Sequence, residues 1–176
     1  MSIKKSLPTI VLGIICLVVT LLLSAANAIT APIIEKAERQ KVQENLANVL
    51  PSGKNFVEMS ADALPSELPS EVTNVFTEDN GGYVFQMTVT GYKPGLVVMC
   101  GIDAYGKITG ATYIKSQETL SAEVGLGDKF VGHTSDTMTT EIIAGPTAKK
   151  TTEAYYSAIE AALEAFDMMN DKEDVK

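Results

Sequence analysis

The sequence predicts an α+β protein: an N-terminal transmembrane helix followed by a domain whose curved antiparallel sheet is packed by helices at both chain ends. Three observations predict it. Residues 6–34 carry no charged side chain. Apolar and polar residues alternate in the middle of the chain, the period of a half-buried strand. Near the C-terminus apolar residues recur every three or four positions, the period of a helix.

The centre of the uncharged stretch, 7–23, is almost wholly apolar, and 24–28 extends it to the roughly 20 residues a spanning helix needs. Lys4 and Lys5 precede it directly. Positive charge stays on the cytoplasmic side, so the remainder of the chain is expected outside the cytoplasm. Ala26-Asn27-Ala28 has the form of a secretory cleavage site, which is the rival reading. The apolar run is longer than the 7–15 residues typical of a signal core, and an uncleaved anchor is the expectation. Thr30 is expected to cap a connecting helix that opens near Ala31 and Pro32. Within it Val42, Leu46, Val49 and Leu50 fall at helical spacing, and Pro51, Ser52 and Gly53 end it. Segment 60–71 is acidic and contains prolines, and it reads as a surface loop.

Strands follow. Tyr83, Phe85, Met87 and Val89 alternate with Gln86, Thr88 and Thr90, and the turn residues 79–82 join this strand to one around Val75 and Phe76. A second strong strand covers 96–102. A turn at 103–107 leads into a third at 108–116, so the strands form an antiparallel meander. Segment 117–140 is looser. A final helix is expected from about Thr147 to Met168, with Tyr155, Ile159, Ala162 and Phe166 on one face, before a charged tail. The expected division is a cytoplasmic N-terminus at 1–6, a transmembrane helix at 7–28, a connecting helix at 29–55, a domain at 56–168 and a tail at 169–176.

Charge and composition narrow the function classes. With a net charge of −8 and no basic stripe, the chain repels phosphate backbones, and nucleic acid is not an expected partner. A hydrophobic content of 45% excludes disorder for most of the chain. Cys16 and Cys100 have no metal-ligand spacing, fall in different parts of the chain, and read as two buried small apolar residues. His133 is the sole histidine, so no histidine metal cluster exists, and a loop position is expected for it. Glu118 and Glu123 read as solvated loop charges. No catalytic constellation emerges, and no independent catalysis is expected.

One segment differs. In 142–152 an apolar run meets Gly145-Pro146, then Thr147 at the expected helix start, with Lys149 and Lys150 just beyond. A helix N-terminus presents unpaired N–H groups and the positive dipole end, a seat for phosphate. The plainer alternative makes Thr147 only the helix N-cap.

The order of pieces resembles the FMN-binding domain of the G subunits of Rnf electron-transport complexes, and that of the related C subunits of sodium-pumping quinone reductases. The likeness covers nearly the whole chain: a short inner N-terminus, one anchor, Gly91-Tyr92, the hairpin within 97–119, then 125–130 and the flavinylation region. The family pattern reads roughly Asp-x-x-Ser-Gly-Ala-Thr. Here Glu141 stands at the Asp position, Ala144 at the Ser and Pro146 at the Ala, while Gly145 and Thr147 match. The family's Glu-Thr-Pro-Gly-Leu-Gly loop corresponds to Glu118 and Thr119, a longer insert without the Pro, and Gly125, Leu126 and Gly127. The resemblance implies FMN joined to Thr147 by a phosphoester bond. Gly145, Ala148, Glu118, Thr119, Gly125, Leu126 and Gly127 would surround it. It further implies an electron-carrying membrane subunit of an ion-translocating ferredoxin:NAD oxidoreductase, with the other subunits and a flavin transferase as partners. A stand-alone anchored flavin carrier, or a structural domain without flavin, are the alternatives.

Overall fold

The computed structural model describes residues 3–119, 121, 123–143 and 148–173. They form two compact units, Met1–Lys41 and Val42–Lys176, whose boundary falls inside the first helix.

The first helix, α1, runs Ile3–Val49. Its apolar window, Val11–Pro32, has 22 residues, about 33 Å at 1.5 Å per residue, which matches a hydrocarbon core of about 30 Å. The aliphatic side chains of this window are exposed, Leu22 and Leu23 among them. The expected second helix start at Thr30 is replaced by unbroken helix. The Thr30 hydroxyl donates to the Ala26 carbonyl four residues back, as inside a helix, instead of capping a new one. Pro32 removes one backbone bond, a loss that long apolar helices tolerate. Cys16 is likewise exposed on this helix rather than buried.

The second unit is built on a five-stranded sheet in the order β1-β2-β3-β4-β5, antiparallel throughout. The strands are β1 (Val57–Glu58), β2 (Val72–Thr77), β3 (Tyr83–Thr90), β4 (Pro94–Ile102) and β5 (Ile108–Lys115). Every connection joins neighbours, the meander that the turn residues predict. At the β4–β5 turn the Asp103 carboxylate accepts from the backbone N–H groups of Tyr105 and Lys107, and Gly106 takes a φ of +78°, which suits glycine. The two-residue edge strand β1, missed by pattern reading, is too short to show a period of two.

Alternation sends side chains to two cores. Tyr83, Phe85, Met87 and Val89 of β3, with Leu96, Val98, Cys100 and Ile102 of β4, pack against α2 (Lys149–Glu173). The α2 side chains in that core, including Tyr155, Ile159, Ala162 and Phe166, form the expected face. The helix begins two residues later than expected and continues to Glu173, because nothing in 169–173 breaks it. On the opposite sheet face Phe76, Val84 and Met99 meet Leu46, Val49 and Leu50 from the end of α1. Gly101 and Gly110 make that approach possible. A Cβ at Gly110 would lie 2.8 Å from the Val49 Cα, and one at Gly101 would meet the Val49 carbonyl. The Thr109 hydroxyl then donates to that same carbonyl, satisfying an acceptor left free at the helix end.

Candidate functional site

Three chain segments meet at one end of the sheet: the β3–β4 turn, the stretch after β5, and the first turn of α2. Between them lies a cavity of about 580 Å³ lined by Tyr92, Glu118, Thr119, Ala148, Lys149, Lys150 and Thr151. That volume falls within the range of about 300–1,000 Å³ usual for small-molecule sites.

The first turn of α2 supplies one wall. The Ala148 carbonyl accepts from both the backbone N–H and the hydroxyl of Thr152, so Ala148 opens the helix. The N–H groups of the first helical residues therefore have no intrahelical acceptor, and the positive end of the helix dipole lies there. Lys149 and Lys150 are exposed and add two cationic side chains. Tyr92 is 66% exposed, an aromatic face that the described residues leave open.

Glu118 ties the three segments together. Its Oε1 accepts from the Lys93 N–H (3.1 Å), and its Oε2 from the Tyr92 N–H (3.3 Å) and the Thr151 hydroxyl (2.6 Å). Its own N–H donates to the Ser116 hydroxyl. Gly91 leaves room for this carboxylate, since a Cβ there would come within 2.6 Å of Glu118 Oε1 and 3.2 Å of the Thr151 Cα. Thr151 is only 2% exposed.

Of the residues expected at a site, Glu118, Thr119 and Ala148 line the cavity. Gly125, Leu126 and Gly127 are not among its described lining residues. Leu126 and Gly127 are buried instead, and a Cβ at Gly127 would collide with the Ala111 carbonyl and approach the Tyr155 hydroxyl to 2.9 Å. Gly145 and Thr147 lie outside the described residues. Tyr92 and Thr151 were not expected at the site. Their placement depends on the folded sheet, and for Thr151 on a hydrogen bond between residues 33 apart, which no local pattern announces.

The remaining titratable groups are elsewhere. Glu123 is buried at 4% exposure, not solvated as its loop position suggests, and its Oε2 has no partner among the described residues. The Tyr155 hydroxyl is also buried without a partner among them, and burial, then the nearby Cys100 and Asp128, push its pKa up. Burial does the same to the Cys100 thiol. His133 Nδ1 lies 3.3 Å from the Thr137 carbonyl, in the loop role expected of it. Among the described residues no group of His, Cys, Asp and Glu could hold a metal ion.

Fold and site define a class: a protein with one membrane-length apolar helix and an α+β domain bearing a ligand-sized cavity at the start of its last helix. No family model matches the chain. Over 142 residues it is 34% identical to the G subunit of the Na⁺-translocating ferredoxin:NAD⁺ oxidoreductase complex of Acetobacterium woodii, covering 74% of this chain and 67% of that protein. The chain belongs to the family of Rnf G subunits.

Proposed function

We propose that this chain is the flavin-carrying electron-transfer subunit of an ion-translocating, Rnf-type ferredoxin:NAD oxidoreductase. In this reading α1 anchors it in the membrane, the domain faces away from the cytoplasm, and FMN is attached to Thr147 by a flavin transferase. The observation that carries the reading is the cavity at the start of α2, whose lining includes Ala148, the residue after Thr147 in the chain.

The residues present fit the group. Ala148 is a small wall residue, Tyr92 offers an aromatic face, and the helix start with Lys149 and Lys150 offers positive charge. FMN supplies reversible electron transfer when bound. The chain's own part is to hold and orient it. The N–H groups of the first helical turn suit phosphate oxygens attached just upstream, where the dipole and the two lysines favour anionic charge. The Tyr92 ring suits a flat heteroaromatic partner in an offset stack. Covalent attachment also keeps a cofactor outside the cytoplasm from being lost by dissociation.

The test is the intact mass of the protein purified from its own host, beside a Thr147→Ala variant. The expected result is one added FMN that survives denaturation and is absent from the variant. An unmodified mass in both proteins overturns the covalent assignment.

A further inference from the structure

Glu118 belongs to the residues that the family likeness gathers around the flavin, but its oxygens are already engaged within the chain. A carboxylate has about four acceptor positions. Three are taken: two by consecutive backbone N–H groups of the β3–β4 turn and one by the Thr151 hydroxyl. The shortest of these bonds, 2.6 Å, is made by a side chain that is almost fully buried. Glu118 also lines the cavity. Three donors from two other segments therefore fix a carboxylate in the cavity wall, and none of those donors is the charged end of a lysine or arginine. Its negative charge is thus shared among uncharged donors, and among the described residues it is not hydrogen-bonded to either cavity lysine, Lys149 or Lys150.

We propose that Glu118 and Thr151 form a positioning pair that sets the redox potential of the cofactor in this cavity, the carboxylate opposing reduction and the Thr151 hydroxyl moderating it. The proposal rests on the flavin reading above. Reduction adds electron density to a flavin, and a fixed negative charge in a partly desolvated wall disfavours that addition. A hydroxyl donor drains charge from the carboxylate, so its removal exposes the cavity to more of that charge. The two residues thus act with opposite sign. A pair serving only to hold the segments together would not, since cutting the link from either end frees the same segments.

The measurement is the midpoint potential of the flavin in holoprotein purified from its own host, for the wild type and the Glu118→Gln, Thr151→Val and Thr151→Ser variants, with the mass of each recorded first. Glu118→Gln is expected to raise the potential, Thr151→Val to lower it, and Thr151→Ser, which keeps the hydroxyl, to return it to the wild-type value. Flavin present with equal potentials, or with shifts of one sign in Glu118→Gln and Thr151→Val, overturns the proposal and leaves the flavin reading standing. A wild type without flavin overturns both. Should Glu118→Gln carry no flavin, Thr151→Val against Thr151→Ser decides: a lowered potential in the first alone supports the proposal, and equal values overturn it.

Discussion

Two carboxylates in this domain each accept from several donors, at least one of them from a distant segment, and they illustrate what one side chain can organise. Glu118 does so at the cavity, and Glu78 at the β2–β3 turn. Glu78 is 8% exposed. Its Oε1 accepts from the Gly82 N–H at 3.0 Å, and its Oε2 from the Asn80 amide at 3.0 Å and the Lys54 N–H at 3.4 Å. Burial alone would raise its pKa, but the N–H groups of Asn80, Gly82 and Lys54 and the Asn80 side chain outweigh burial and hold it below the ordinary carboxylate value. A depressed folded-state pKa means that the ionised form stabilises the fold. That stabilisation is complete above the unfolded-chain value of about 4.3 and is lost as pH falls through the lower folded one. Glu78→Gln is therefore expected to melt at a lower temperature than the wild type at pH 7. The gap should close as the pH is taken below about 4, read from thermal denaturation followed by circular dichroism. A gap that stays constant across that range would show that the charge is not what matters.

Among the elements, the contact between the end of α1 and the sheet is the most constrained. Backbone meets backbone at Val49, Gly101 and Gly110, so an added methyl has no flexible neighbour to displace. Gly110→Ala is expected to cost on the order of 1–3 kcal/mol, the usual range for overpacking a filled site. Its denaturant midpoint should fall accordingly, whereas Gly95→Ala introduces no clash, and its cost comes only from the positive φ of +86°. Much of this level was legible in the sequence. Alternation marked β3 to its ends, and the 3.6-residue period picked out Leu46, Val49, Leu50 and the inner face of α2, because each buries one face only. It failed where the signal is not periodic. Thr30 has the chemistry of a cap but bonds back to Ala26 within a continuous helix. Two residues of β1 carry no period at all. At the cavity, Glu118, Thr119 and Ala148 follow from the family resemblance, and no rule of spacing adds Tyr92 or joins Thr151 to Glu118, 33 residues away, which only folding brings together.

At the level of the whole molecule, every buried hydrophobic residue described, from Leu46 to Met169, lies in the second unit. Among the described residues the first unit contributes none, and the apolar side chains of its Val11–Pro32 window are exposed. Residues 42–176, expressed without the preceding 41, are therefore expected to form a soluble domain that unfolds in one cooperative step. Size-exclusion chromatography and a urea titration would check it, and an aggregated or gradually melting product would show that the first unit is needed for folding. All strand connections being local, the meander should form readily once its turns are made. A polypeptide leaves the ribosome from its N-terminus, so the walls of the cavity are delivered at different times. Tyr92 and Glu118 emerge with the sheet, while Ala148 to Thr151 wait for α2, the last element, to be released and to dock. Until α2 docks, the site does not exist as a shape. Any enzyme that recognises the assembled cavity must act after α2 has docked, and a modification made there would then report that a given copy had folded this far.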